Sequence, residues 1–133
     1  MWTPYEVVRK HLHDFRIEYR FYSREEGGRK ILPFQGYRCD FSYDGDDIGT
    51  TGIYMIHPEF EDEDGNVLIN DIESVNGIGT ARMWILIPEM RKEIHNNRIK
   101  LGVKGYFMEG SRKVGVVKVI EINGIMDNAN KIF

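Results

Sequence analysis

The chain is short of cysteine, of long apolar runs and of compositional bias, and each shortage removes a class of protein. A single cysteine, Cys39, among 133 residues cannot close an internal disulfide, which rules out a small disulfide-stapled scaffold. No apolar stretch approaches the ~18 residues of a membrane-crossing helix, and no basic segment runs into an apolar one as a secretory leader would. The expected compartment is therefore the cytoplasm, with no membrane partner. There is no low-complexity tract, and with 41% hydrophobic and 12% aromatic residues the composition is that of one packed globular domain over residues 1–133. The Gly-x-x-x-x-Gly-Lys-Ser/Thr loop that cradles nucleotide phosphates is also missing, so no bound nucleotide is expected.

Charge of one sign is absent locally. Residues 44–80 hold ten Asp or Glu and no Lys or Arg, whereas residues 1–43 sum to +2 and residues 81–133 to +5, giving the overall −3. Such asymmetry predicts an acidic insertion, 44–80, set on a mildly basic body, with Glu59, Glu61, Asp62, Glu63 and Asp64 as a surface for a basic partner.

Patterning gives the elements. Thr3-Pro4-Tyr5-Glu6 reads as a helix start with Thr3 as cap, and Tyr5, Val8 and Leu12 fall on one face of a short helix within residues 1–14. Phe15, Ile17, Tyr19 and Phe21 alternate with polar residues, the period of a strand with one buried face. A second strand runs from Tyr37 to Tyr43. A third, Ile53 to Ile56, is expected to stop at Pro58, with a short one over Val67 to Ile69. Met83-Trp84-Ile85-Leu86-Ile87 reads as a central strand buried on both faces. Glu89 to Asn97 suits a helical turn, and residues 100–122 form a hairpin across Glu109-Gly110-Ser111-Arg112. About six short strands favour an all-β fold, a small closed antiparallel β-barrel over residues 15–122 with a short N-terminal helix and a tail at 123–133.

Two motifs carry a resemblance. Glu25-Glu26-Gly27-Gly28-Arg29, followed by Pro33-Phe34-Gln35-Gly36-Tyr37-Arg38, resembles the segment joining the first two barrel strands in the third domain of bacterial elongation factor Tu. Met108-Glu109-Gly110-Ser111-Arg112-Lys113-Val114-Gly115 resembles that domain's final hairpin. The middle of the chain, 46–87, is longer and more acidic than in that family, and the N-terminal helix is additional. The resemblance implies a non-catalytic barrel that grips transfer RNA and neighbouring proteins. It places Glu109 and Gly110 at the RNA, with Arg29, Lys30, Arg38, Arg112 and Lys113 available for phosphate contacts.

Catalytic and metal chemistry find little support. His11, His13, His57 and His95 are scattered, and Cys39 sits among alternating apolar residues as a core thiol would. The carboxylates of Asp62-Glu63-Asp64-Gly65 miss a calcium-loop register because Phe60 stands where its first acid belongs. No cofactor, metal or enzymatic activity is expected. Two functions stay open: a translation-factor-like module docking RNA or a translation protein, and a protein-interaction module whose acidic lobe meets a basic partner, as an immunity protein meets a nuclease toxin.

Overall fold

The alternation in residues 15–21 builds the centre of the molecule. In the computed structural model, which describes residues 1–130, β1 (Phe15–Phe21) turns Phe15, Ile17, Tyr19 and Phe21 inward and Arg16, Glu18 and Arg20 outward. It pairs antiparallel with β4 (Ile78–Ile85) on one side and β6 (Arg112–Ile122) on the other. With β2 (Asp40–Tyr43), β3 (Ile56–Phe60) and β5 (Lys104–Glu109), the six strands form one antiparallel sheet in the order β2-β5-β6-β1-β4-β3. The sheet curls around Phe15, Ile17, Phe41, Ile56, Phe60, Met83 and Phe107, all without solvent exposure. Their rings meet largely edge-on, Tyr19 against Phe60 at 5.3 Å between centroids, as ring quadrupoles favour.

The two edge strands approach at a single bridge. Phe41 donates its N–H to Tyr54 O at 2.9 Å and accepts from Tyr54 N at 2.8 Å. Pairing does not continue into β3, and Pro58 gives a physical reason. Phe60 N and O both face away from β4, toward Gln35 Oε1 and Leu68 N at 2.8 and 2.9 Å. Two residues earlier, Pro58 points its backbone the same way and has no N–H to offer the seam. The sheet is a curled half-barrel whose edges touch at that bridge, rather than one zipped along its whole length.

Pro58 does not end the third strand as expected: it lies inside β3, paired opposite Met83. An edge strand tolerates proline where its N–H would face away from the neighbour. The expected strand over Val67 to Ile69 reduces to a bridge between Glu61 and Val67. The acidic segment 44–80 is thus no separate lobe, since it supplies α2 (Ile48–Thr51), β3 and the start of β4.

The N-terminal helix, α1 (Tyr5–Arg9), is shorter than its pattern suggested, because Lys10 adopts the left-handed conformation (φ 61°) and ends it. Thr3 does not cap it. The Glu59 carboxylate instead accepts from Tyr5 N at 2.8 Å, and Trp2 Nε1 at 2.8 Å and Trp84 Nε1 at 3.2 Å reach the same side chain. Val8 and Leu12 remain exposed, so only Tyr5 of the expected apolar face is buried.

After β4, residues 88–98 are helical throughout: α3 (Pro88–Met90), a π-helical turn (Arg91–His95) and α4 (Asn96–Arg98). The π turn carries two buried polar side chains. Arg91 donates from Nε to Asp14 Oδ1 at 2.9 Å, and Asp14 also accepts from Ile85 N at 2.8 Å and Asn128 Nδ2 at 3.0 Å. This cluster ties the start of β1 and the end of β4 to α5 (Ile125–Ala129), which occupies most of the described tail. The rest of the expected tail, 131–133, lies outside the described residues. His95 accepts from or donates to the Tyr43 hydroxyl at 2.6 Å and stacks on its ring.

Candidate nucleic-acid interface

The glycine-rich loop folds on local rules. Ser23 and Glu26 form a reciprocal capping box, Ser23 N donating to Glu26 Oε1 at 2.9 Å and Glu26 N to Ser23 Oγ at 3.3 Å. Gly27 turns the chain at φ 91°, and Gly28 lies so close to Tyr22 that a Cβ would stand 2.1 Å from its carbonyl oxygen. Arg20 clamps the loop from β1 through a two-pronged contact with Glu26 at 2.9 and 3.2 Å. Those bonds, from Arg20 first and the Ser23 backbone next, lower the Glu26 carboxyl to about 2.

The final hairpin is equally local. Glu109 pairs with Arg112 across Gly110 and Ser111, and Gly110 takes φ 60°, as a tight two-residue connection requires. Lys113 lays its ammonium 4.0 Å above the Tyr106 ring.

Glu109 brings the two segments together. It accepts from Arg29 Nη1, 80 positions earlier, from the Tyr37 hydroxyl and from Arg112 Nη2, the last at 3.0 Å. Partial burial pushes its carboxyl up, but the Tyr37 and Arg29 bonds outweigh it and hold the group below its ordinary range. Arg29 also spans Tyr37, its guanidinium carbon 4.9 Å from the ring centroid. The loop and the hairpin tip therefore meet at Arg29, Tyr37, Glu109 and Arg112, with Arg24 and Lys30 lining the same cleft as Arg29 and Gly110 at the turn, while Lys113, next along the hairpin, turns to the Tyr106 ring. Arg24, Lys30 and Lys113 make no ion pair among the described residues.

Arg38 does not join them. It is exposed near Arg9 and His57, where its charge helps lower both pKa values, after the larger effect of their burial. Tyr37 and Arg24 belong to the surface although sequence reasoning passed over them. Tyr37 reads as an inward strand residue, while the Ser23-x-x-Glu26 spacing was a usable signal for the loop's organisation.

The acidic set needs a larger correction. Glu59 and Glu61 are buried, not surface groups, because β3 continues through Pro58 and its alternation carries His57, Glu59 and Glu61 beneath the N-terminal segment and beside Trp84 and Arg82. Glu61 accepts from Arg16 Nη2 at 2.8 Å, Thr80 Oγ1 at 2.7 Å and Arg82 Nε at 3.0 Å. Burial raises its pKa, and these donors reverse the shift to a net lowering. Asp62 closes a turn by accepting from Asp64 N and Asn66 N at 2.9 and 3.0 Å. Asp44, Asp46, Asp47 and Asp71 are likewise engaged, by Tyr106, Arg98, the first turn of α2 and the N-terminal ammonium. Only Glu63, Asp64 and Glu73 of the ten acids in 44–80 make no side-chain bond or ion pair among the described residues.

The Cys39 thiol is buried and pushed far above its ordinary pKa by desolvation, so it is protonated and unreactive at neutral pH. Among the described residues no three His, Cys, Asp or Glu side chains converge as a metal-binding group. Among the described residues no helix is long and apolar enough to cross a membrane. No protein-family model matches the chain, and no curated protein is significantly similar to it.

Proposed function

We propose that the chain is a non-catalytic binding module of the elongation-factor kind, its sheet a small barrel closed at the Phe41–Tyr54 seam, and that it docks structured RNA through residues 23–31 and 109–113. The observation that carries this reading is the joining of those two segments by Glu109, which contacts Arg29, Tyr37 and Arg112. Two guanidinium groups are fixed there by a shared carboxylate, while Arg24, Lys30 and Lys113 are left to meet phosphates. Fixed forks beside cations that make no ion pair among the described residues suit a phosphate backbone, and phosphate contacts position a protein without reading sequence. An exposed turn at Gly110 admits close approach to a stem. The competing reading, an acidic lobe for a basic partner, loses weight because seven of its ten acids are committed within the fold.

The test is titration of a labelled RNA stem-loop with wild type and with R112E/K113E at low and moderate salt. Wild-type affinity is expected to fall as salt rises, and the double reversal is expected to weaken binding at least about tenfold at low salt. Both side chains are exposed, and a thermal melt of the double variant checks that losing the Arg112–Glu109 bond leaves the fold intact. Equal affinity of the two proteins, or no binding by wild type at low salt, contradicts the proposal.

A further inference from the structure

A ridge formed by residues 74–78 separates two clefts of opposite charge. The cleft on one side, about 440 Å³, is lined by Arg20, Arg24, Arg29 and Lys30, with Glu26 as its one carboxylate among the described residues. The cleft on the other, about 240 Å³, is lined by Glu61, Asp62, Glu63 and Glu73 and, among the described residues, by no Lys or Arg. Consecutive residues divide the two, Asn76 lining the acidic cleft and Gly77 the basic one. The ridge is held in place. Val75 N donates to Pro33 O at 2.8 Å, Tyr19 Oη to Asn76 O at 3.0 Å and Phe21 N to Gly77 O at 2.8 Å, while Ser74 bridges Phe34. Large apolar side chains stand out on and beside it: Ile78 is 70% exposed, Ile31 and Phe34 from the adjoining segment 68% and 44%, and Ile72, just before the ridge in the chain, 82%.

We propose that this surface is the interface of a symmetric homodimer. A two-fold axis running along the ridge lays the basic cleft of one protomer over the acidic cleft of its partner, and the same operation repeats the contact in reverse. Either cleft alone would call for a foreign partner; side by side, the pair is its own complement. The exposed isoleucines then cover one another between two charged rims, the apolar-centre, polar-rim arrangement of protein interfaces. Arg16 and Arg82 already neutralise Glu61, so Asp62, Glu63 and Glu73 carry the acidic side. Arg24 and Lys30, which make no ion pair within the described residues, carry the other. RNA and the partner's carboxylates compete for these two cations, yet the dimer does not depend on the RNA reading, and its test contains no nucleic acid.

Sedimentation equilibrium on wild type, R24E/K30E and E63K/E73K decides the matter. All four positions are exposed, and a thermal melt checks that each variant keeps its fold. Wild type is expected to dimerise with rising concentration and to dissociate as salt rises. Each reversed variant alone presents two clefts of the same sign and should dimerise at least about tenfold more weakly. Mixed in equal amounts, the two variants should restore association as a heterodimer, because each then supplies what the other lacks. I78S, which leaves every charge in place, should also weaken the wild-type dimer. A wild type monomeric at ~1 mM in low salt, variants that self-associate like wild type, or a mixture that stays monomeric would overturn the proposal.

Discussion

Replacing Asp14 by asparagine is expected to destabilise the fold by about 3–5 kcal/mol, the range for removing one partner of a buried ion pair. Asp14 is fully buried and Arg91 2% exposed, so neither has water to turn to. The carboxylate accepts from the Arg91 guanidinium at two places, from Ile85 N and from Asn128 Nδ2. Asparagine preserves the shape, but it removes the negative charge and turns an N–H₂ group toward donors that need an acceptor. The guanidinium keeps its bond to Ile85 O at 2.6 Å, which supplies a dipole and no countercharge. Because the cluster joins β1, β4, the π turn and α5, the loss should appear as one cooperative transition at lower urea. D14N/R91M, which removes both charges, is expected to recover most of it. A loss below about 1 kcal/mol in D14N would mean that the cluster does not hold these elements together.

Acid should unfold the chain from an unusually high pH, through histidine before the carboxylates. Burial lowers the His95 pKa to about 4, with the charges of Arg98 and Arg91 adding to the shift, and burial lowers His13 and His57 in the same direction. Neither ring nitrogen of His13 has a hydrogen-bond partner among the described residues. Between about pH 6.5 and pH 4 the unfolded chain binds a proton at position 95 and the folded chain does not, so stability falls as pH falls. Over that window His95 alone accounts for roughly 3 kcal/mol. Below the ordinary glutamate range Glu61 and Glu109, whose pKa values are lowered in the fold, add a further loss of the same sign. Urea unfolding at half-unit intervals from pH 7 to pH 4 should therefore show a steady decline that H95F or H95Q makes shallower, the remaining slope coming from His13 and His57. A stability profile level down to pH 4.5 would contradict it.

Much of the sheet was legible because its information is local. Inward Phe15, Ile17, Tyr19 and Phe21, the apolar run around Trp84 and the Glu109–Arg112 turn each declare themselves within a few residues. What escaped depends on contacts between distant segments. Pro58 reads as a strand end, since nothing nearby says that β3 is an edge strand whose backbone faces away from its partner. That one misreading placed Glu59 and Glu61 on a surface, although Trp2, Tyr5, Trp84, Arg16 and Arg82, up to 57 positions away, bury and satisfy them. Similarly, Thr3 has the chemistry of a helix cap, but Glu59 takes the N–H of Tyr5. At the candidate interface the sequence named most of the cations, while the link from Arg29 and Tyr37 to Glu109 belongs to tertiary structure. Arg38 was misplaced for the same reason: it follows Tyr37 in the chain and faces Arg9 and His57 in space.

The central claim is that the loop and the hairpin tip form one phosphate-binding surface, and amide chemical-shift mapping with an unlabelled RNA stem-loop tests it most directly. Shifts are expected in residues 23–31 and 109–113 together, saturating with one affinity and vanishing at high salt, with Arg38 and residues 62–66 unmoved. Shifts centred on Arg38 or on residues 62–66, or a spectrum unchanged by RNA at low salt, would contradict it.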